Sequence, residues 1–93
     1  MRRAAKVDSN QADIVDALRK IGAKVHPMHA MGGGFPDLLV SWRGMLTLLE
    51  CKDGSKPPSA RKLTPAQVKW HTEWGDVVRV VSSVEEAIEA VTN

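Results

Sequence analysis

The sequence predicts an α/β domain with a mixed central sheet, its elements running helix, strand, strand hairpin, helix, strand, helix. Three observations predict it. Leu38–Trp42 and Met45–Cys51 are apolar runs on either side of Arg43-Gly44, the pattern of an antiparallel hairpin with a two-residue turn. Residues 76–81 are a β-branched run that follows a helical stretch and Gly75, and a crossover of that kind lays a strand parallel to its predecessor. Apolar residues recur at helical spacing before the hairpin and after the last strand.

Each element has a local reason. Arg2, Arg3 and Lys6 make a short basic arm over residues 1–8, either a frayed terminus or a contact for nucleic acid. Residues 8–21 read as a helix. Asp8 caps it, Gln11 completes a capping box, and Ile14, Val15, Leu18 and Ile21 form one stripe that Gly22 ends. Gln11 lies one turn before Ile14, placed to reach inward at the helix N-terminus, whose dipole favours anions. Residues 23–28 form an irregular strand that Pro27 confines to an edge. His26 and His29 have His-x-x-His spacing. With Pro27 between them and no cysteine or third histidine nearby, a structural or DNA-proximal role fits better than a metal site. Gly32-Gly33-Gly34 is a loop whose bare backbone can approach a ligand, but no phosphate-loop lysine or helix follows it.

After the hairpin, residues 53–62 form a loop rich in glycine, serine and proline that carries Lys56, Arg61 and Lys62. It reads either as a solvated linker or as a basic loop suited to a phosphodiester backbone. Thr64-Pro65-Ala66-Gln67 opens the second helix with a capping box, so Gln67 has a structural role to weigh against a functional one. Val68, His71 and Trp74 share a face of it. Trp70 and Trp74 read as core or interface rather than base-stacking platforms, and His71 as structural. Ser83-Val84-Glu85-Glu86 is a third capping box, ahead of a stripe formed by Val84, Ala87, Ile88 and Val91.

The chemistry lies in the hairpin. If Trp42 pairs with Met45, then Ser41 meets Leu46, Leu39 meets Leu48 and Asp37 meets Glu50. Alternation places Glu50, Lys52 and Asp37 on one side of the sheet. Two carboxylates held opposite each other repel, and a divalent cation between them is the natural remedy. Hard oxygen ligands suit Mg²⁺ or Mn²⁺. Lys52 would add positive charge that orients a water or stabilises a phosphate. A solvated surface hairpin is the plain alternative, and the leucines flanking the carboxylates argue against it.

Composition narrows the class. Ninety-three residues, 43% hydrophobic and 26% charged, make a single domain with one modest core that oligomerisation would help. A net charge of +2 permits an anionic partner without requiring one. The lone Cys51 excludes an internal disulfide and fits a reducing cytoplasm. The basic start is not followed by an apolar secretory core, and no run approaches the ~18 apolar residues of a membrane span.

Taken together, Gly34-Phe35-Pro36-Asp37-Leu38, Leu49-Glu50-Cys51-Lys52, Leu63-Thr64-Pro65-Ala66-Gln67 with Trp70, and Gly75 before a valine-rich strand resemble the PD-(D/E)xK nuclease superfamily. The finer pattern is similar to its VRR-NUC family in the small stand-alone form of phages and bacteria. The resemblance covers residues 10–91 and implies a restriction-endonuclease-like core. It further implies a metal-dependent DNA endonuclease in which Asp37, Glu50 and the Cys51 carbonyl hold Mg²⁺ or Mn²⁺, Lys52 assists the attacking water, and Gln67 positions DNA or Lys52. Arg2, Arg3, Lys56, Arg61 and Lys62 would contact DNA. Many relatives carry a glutamate where Gln11 stands; glutamine is a weak, neutral metal ligand or water-holder, which argues against a second metal. The resemblance also implies a homodimer acting on branched DNA such as four-way junctions. The rival reading is a non-catalytic DNA-binding or assembly module on the same fold.

Overall fold

The structure is a computed structural model that describes residues 9–93, so Arg2, Arg3, Lys6 and Asp8 lie outside the described residues. The chain forms α1 (Gln11–Lys20), β1 (Lys24–Pro27), β2 (Leu38–Trp42), β3 (Met45–Cys51), α2 (Pro65–Trp74), β4 (Val78–Val81) and α3 (Val84–Thr92). The strands make one sheet in the order β1-β2-β3-β4. The first two pairings are antiparallel and β3 pairs with β4 in parallel, giving the mixed sheet the sequence predicts.

The hairpin between β2 and β3 fixes everything that follows. Arg43 and Gly44 both adopt positive φ (49° and 80°), the backbone that a tight two-residue hairpin turn requires. The Arg43 guanidinium lies 4.8 Å over the Trp42 ring, a contact that helps offset the strain of a side chain at positive φ. Trp42 pairs with Met45, Ser41 with Leu46 and Leu39 with Leu48, in the expected register. The ladder closes at Leu38 and Leu49, so the next step brings Asp37 opposite Glu50.

Alternation then sorts the side chains. Leu38, Val40, Leu49 and Cys51 face one side and are fully buried. Ile14, Val15 and Leu18 of α1 and Ala87 and Val91 of α3 complete that core, with Val81 from β4. Each large aliphatic so buried contributes roughly 1.5–3 kcal/mol. The other face, with Leu39, Leu46, Leu48, Glu50 and Val80, is covered mainly at the Glu50 end. Leu46 remains 71% exposed and Val80 47% exposed.

Several boundaries differ from the sequence reading. The first helix begins at Gln11, and its N-cap is Asn10 rather than Asp8. Asn10 directs its side-chain amide elsewhere, donating to the carbonyls of Lys52 (2.9 Å) and Ser82 (3.1 Å). The predicted end holds: Gly22 has φ +96°, and the amides of Gly22 and Ala23 return to the Arg19 and Leu18 carbonyls in a Schellman motif. β1 lies at the sheet edge with Pro27 at its end, as expected. The strand expected over 76–81 begins only at Val78, because Gly75–Val77 form a 3₁₀ turn. The shared face of Val68, His71 and Trp74 is not a buried stripe. Val68 and Trp74 are about half exposed, and Trp70 is the residue α2 buries. The cap of α3 is half a box: Ser83 accepts from the Glu86 amide, but the Glu86 carboxylate accepts from the amide of Ser82, one residue early.

The predicted box at the start of α2 is complete. Thr64 Oγ1 accepts from the Gln67 amide at 3.2 Å, and Gln67 Oε1 accepts from the Thr64 amide at 2.9 Å. Gly34 docks against this turn. A Cβ there would come within 2.3 Å of the Ala66 carbonyl oxygen, and its φ of +82° also excludes most side chains. The third glycine of the loop thus serves an approach to a helix, not to a ligand.

Candidate active site

Asp37 stands just before β2, after the buried Pro36, and its Oδ2 accepts from the Cys51 amide at 2.8 Å. That bond ties the two arms of the hairpin together where the ladder stops. Glu50, 1% exposed, and Lys52, 9% exposed, are two residues apart on β3 and its continuation, on the same side as Asp37. Burying such groups without partners would cost several kcal/mol, so what holds them matters.

Gln67 holds both. Its Nε2 donates to Glu50 Oε2 at 2.9 Å, and its Oε1 accepts from Lys52 Nζ at 2.9 Å. The direct Lys52–Glu50 separation is longer, 3.9 Å. The amide cannot be turned round. The Thr64 amide and the Lys52 ammonium are both donors and must meet oxygen, whereas the Glu50 carboxylate must meet nitrogen. Capping and site roles of Gln67 are therefore one device: the box that starts α2 aims the amide between acid and lysine.

These side chains line a cleft of about 430 Å³ whose wall also includes His29, Lys56 and Thr64. Of the residues singled out from sequence, Asp37, Glu50, Lys52, Gln67 and Lys56 converge here. Cys51 contributes backbone beside them, its side chain buried in the core. Arg61 and Lys62 lie outside the cleft lining, Lys62 exposed and Arg61 half-buried. Gln11 is buried at 4% exposure with Oε1 lacking a hydrogen-bond partner, but it does not line the cleft either. His26 is exposed on the edge strand. His71 packs edge-on to Trp70, and burial first, then the Lys52 charge, lower its pKa.

Sequence reasoning missed the clamp behind Lys52. Its amide donates to the Val81 carbonyl, and its carbonyl accepts from Asn10. Asp53 follows, with Oδ1 accepting from the hydroxyl (2.7 Å) and amide (2.9 Å) of Ser55 and Oδ2 accepting from the Ser9 hydroxyl. Asp-Gly-Ser is a recognisable Asx-turn signature, but its distant partners are not legible. The Ser55 hydroxyl most strongly, then the Ser55 amide and Ser9, hold the Asp53 carboxyl at a pKa of about 2, below its usual 3.8. A depressed acid stabilises the fold above its unfolded pKa and loses that contribution as pH falls through the folded one. The urea midpoint should therefore fall between about pH 4 and pH 2, and Asp53→Asn should flatten that part of the curve. An unchanged curve in the variant would contradict the assigned role.

Among the described residues, no three side chains of His, Cys, Asp or Glu gather as a metal site. Two carboxylates on one cleft, with a backbone carbonyl between Glu50 and Lys52, nonetheless make an oxygen donor set suited to a hard divalent cation. Among the same residues, no helix is long and apolar enough to cross a membrane.

No family model matches the chain, and no curated protein does. A solved structure described as a VRR_NUC domain superposes on it with a TM-score of 0.59 and 25% identity, covering 88% of this chain and 94% of that one. The chain has a VRR-NUC fold, the fold of a nuclease domain.

Proposed function

We propose that this chain is a single-domain, metal-dependent DNA endonuclease that hydrolyses phosphodiester bonds. The observation that carries the reading is the convergence of Asp37, Glu50, Lys52 and Gln67 on one cleft of a VRR-NUC fold. Asp37, Glu50 and the Cys51 carbonyl would hold Mg²⁺ or Mn²⁺. When bound, the cation would supply a water of lowered pKa and neutralise charge on the phosphate. Asp37, steadied by the Cys51 amide, keeps its carboxylate in place without a cation. Lys52, aimed by Gln67, carries the positive charge that stabilises the phosphoryl oxygens as charge builds. Lys56 orients the strand from the cleft wall.

The finer reading is a homodimer acting on branched DNA in a bacterial or phage-infected cytoplasm. The exposed Leu46, Val80, Val77, Val68 and Trp74 are apolar residues that a second copy would cover. The test is cleavage of supercoiled plasmid, linear duplex and four-way junction DNA with Mg²⁺, Mn²⁺ or EDTA, alongside sedimentation. Cleavage abolished by EDTA, strongest on the junction, by a species twice the chain mass is expected. DNA binding without cleavage under any metal would instead favour a non-catalytic module, and a monomer would remove the dimer.

A further inference from the structure

We propose that His29 and Lys56, with the bare backbone of Gly32 and Gly33, form a second anion site in the cleft that takes a DNA phosphate flanking the scissile one; this rests on the nuclease reading. All four residues line the same cleft as Asp37 and Glu50. The cleft falls within the roughly 300–1,000 Å³ of small-ligand sites, more room than a single phosphate needs.

His29 has an orientation but no partner. Its Nδ1 is enclosed and makes no hydrogen bond, whereas Nε2 is not among the enclosed atoms. With Nδ1 enclosed, Nε2 is the ring nitrogen left to meet a ligand. The turn bearing it is fixed to the reaction centre. The Met28 amide donates to the Asp37 carbonyl at 2.6 Å, the Met31 amide to Met28, and the Phe35 amide to Gly32. His29 is thereby held relative to Asp37 through backbone.

The rest of the wall suits an anion. A Cβ on Gly32 or Gly33 would meet nothing within 4 Å, so these glycines leave open space that Gly34, docked on α2, does not. Lys52, bonded to Gln67, serves the scissile phosphate, whereas Lys56 makes no ion pair among the described residues, its charge acting on Asp53 only at longer range. The negative groups lining the cleft, Asp37 and Glu50, sit with Lys52 and Gln67 in the network already described. A phosphate beside the scissile one therefore meets His29 and Lys56.

The test reads binding without metal. A labelled oligonucleotide that wild type cleaves is titrated by anisotropy in EDTA, its phosphates replaced one at a time by neutral methylphosphonate. Replacement at one position beside the cut should weaken wild-type binding by about tenfold, the scale of a charge-assisted hydrogen bond. His29→Ala and His29→Leu should lose a similar factor on native DNA and nothing more at that position, while His29→Gln, which keeps a donor, stays near wild type. Two variants guard against one misfolding. Penalties that add at every position, or native affinity in both His29 variants, would overturn this site and leave the nuclease reading standing. A wild type that neither binds nor cleaves DNA would overturn both.

Discussion

Lys52→Ala is expected to lower the proposed metal-dependent DNA cleavage by about a thousandfold, the scale of losing a donor that meets developing charge. The lysine side chain is 11% exposed and is fixed by Gln67, so its charge is held in place and less screened than on an open surface. Divalent-metal affinity should survive, because the carboxylates and the Cys51 backbone remain. Asp37→Asn and Glu50→Gln should also stop cleavage, by the opposite route. Each introduced amide keeps a carbonyl oxygen, which can still accept from the Cys51 amide in the first variant and from Gln67 Nε2 in the second. Both variants should therefore fold, as circular dichroism will report. Plasmid nicking with Mg²⁺ checks all three, and normal nicking by Lys52→Ala would refute the role given to it.

Gln67→Ala combines a stability loss with a rate loss. It removes one half of a capping box worth about 1 kcal/mol and two hydrogen bonds to buried ionised groups, each worth about 1.5–3 kcal/mol. A drop in Tm of more than about 10 °C is expected for a domain of this size. Gln67→Glu separates the two effects. A glutamate caps as well as a glutamine, but it sets a carboxylate against Glu50 Oε2 in place of a donor. It should keep the helix, yet cleave about a hundredfold more slowly, with a pH–rate profile shifted from that of wild type. Stability lost in Gln67→Ala alone, with wild-type cleavage by Gln67→Glu, would reduce Gln67 to a cap.

The hairpin was legible because period-two alternation and a two-residue turn leave one register that buries Leu38, Val40, Leu49 and Cys51. Asp37 and Glu50 follow from that register by counting. The start of α1 was not legible, because Asn10 is claimed by carbonyls 42 and 72 residues away, and no local pattern reports such partners. Gln67 was readable as a cap and by family resemblance as a site residue. That one amide does both depends on where the first turn of α2 sits, and Gly34, by its missing Cβ, lets the chain before β2 pack against that turn. His26 and His29 were read alike, as structural or DNA-proximal, because nothing local separates them; the chain turns between them, and of the two His29 lines the cleft.

Mn²⁺ titration of wild type beside Asp37→Asn and Glu50→Gln, followed by electron paramagnetic resonance, bears most directly on the account. One Mn²⁺ per chain is expected in wild type, with affinity lower by at least about tenfold in each variant and unchanged in Lys52→Ala. Equal Mn²⁺ affinity in wild type and both carboxylate variants would mean that these acids do not hold the cation, and the proposed hydrolysis would lose its centre.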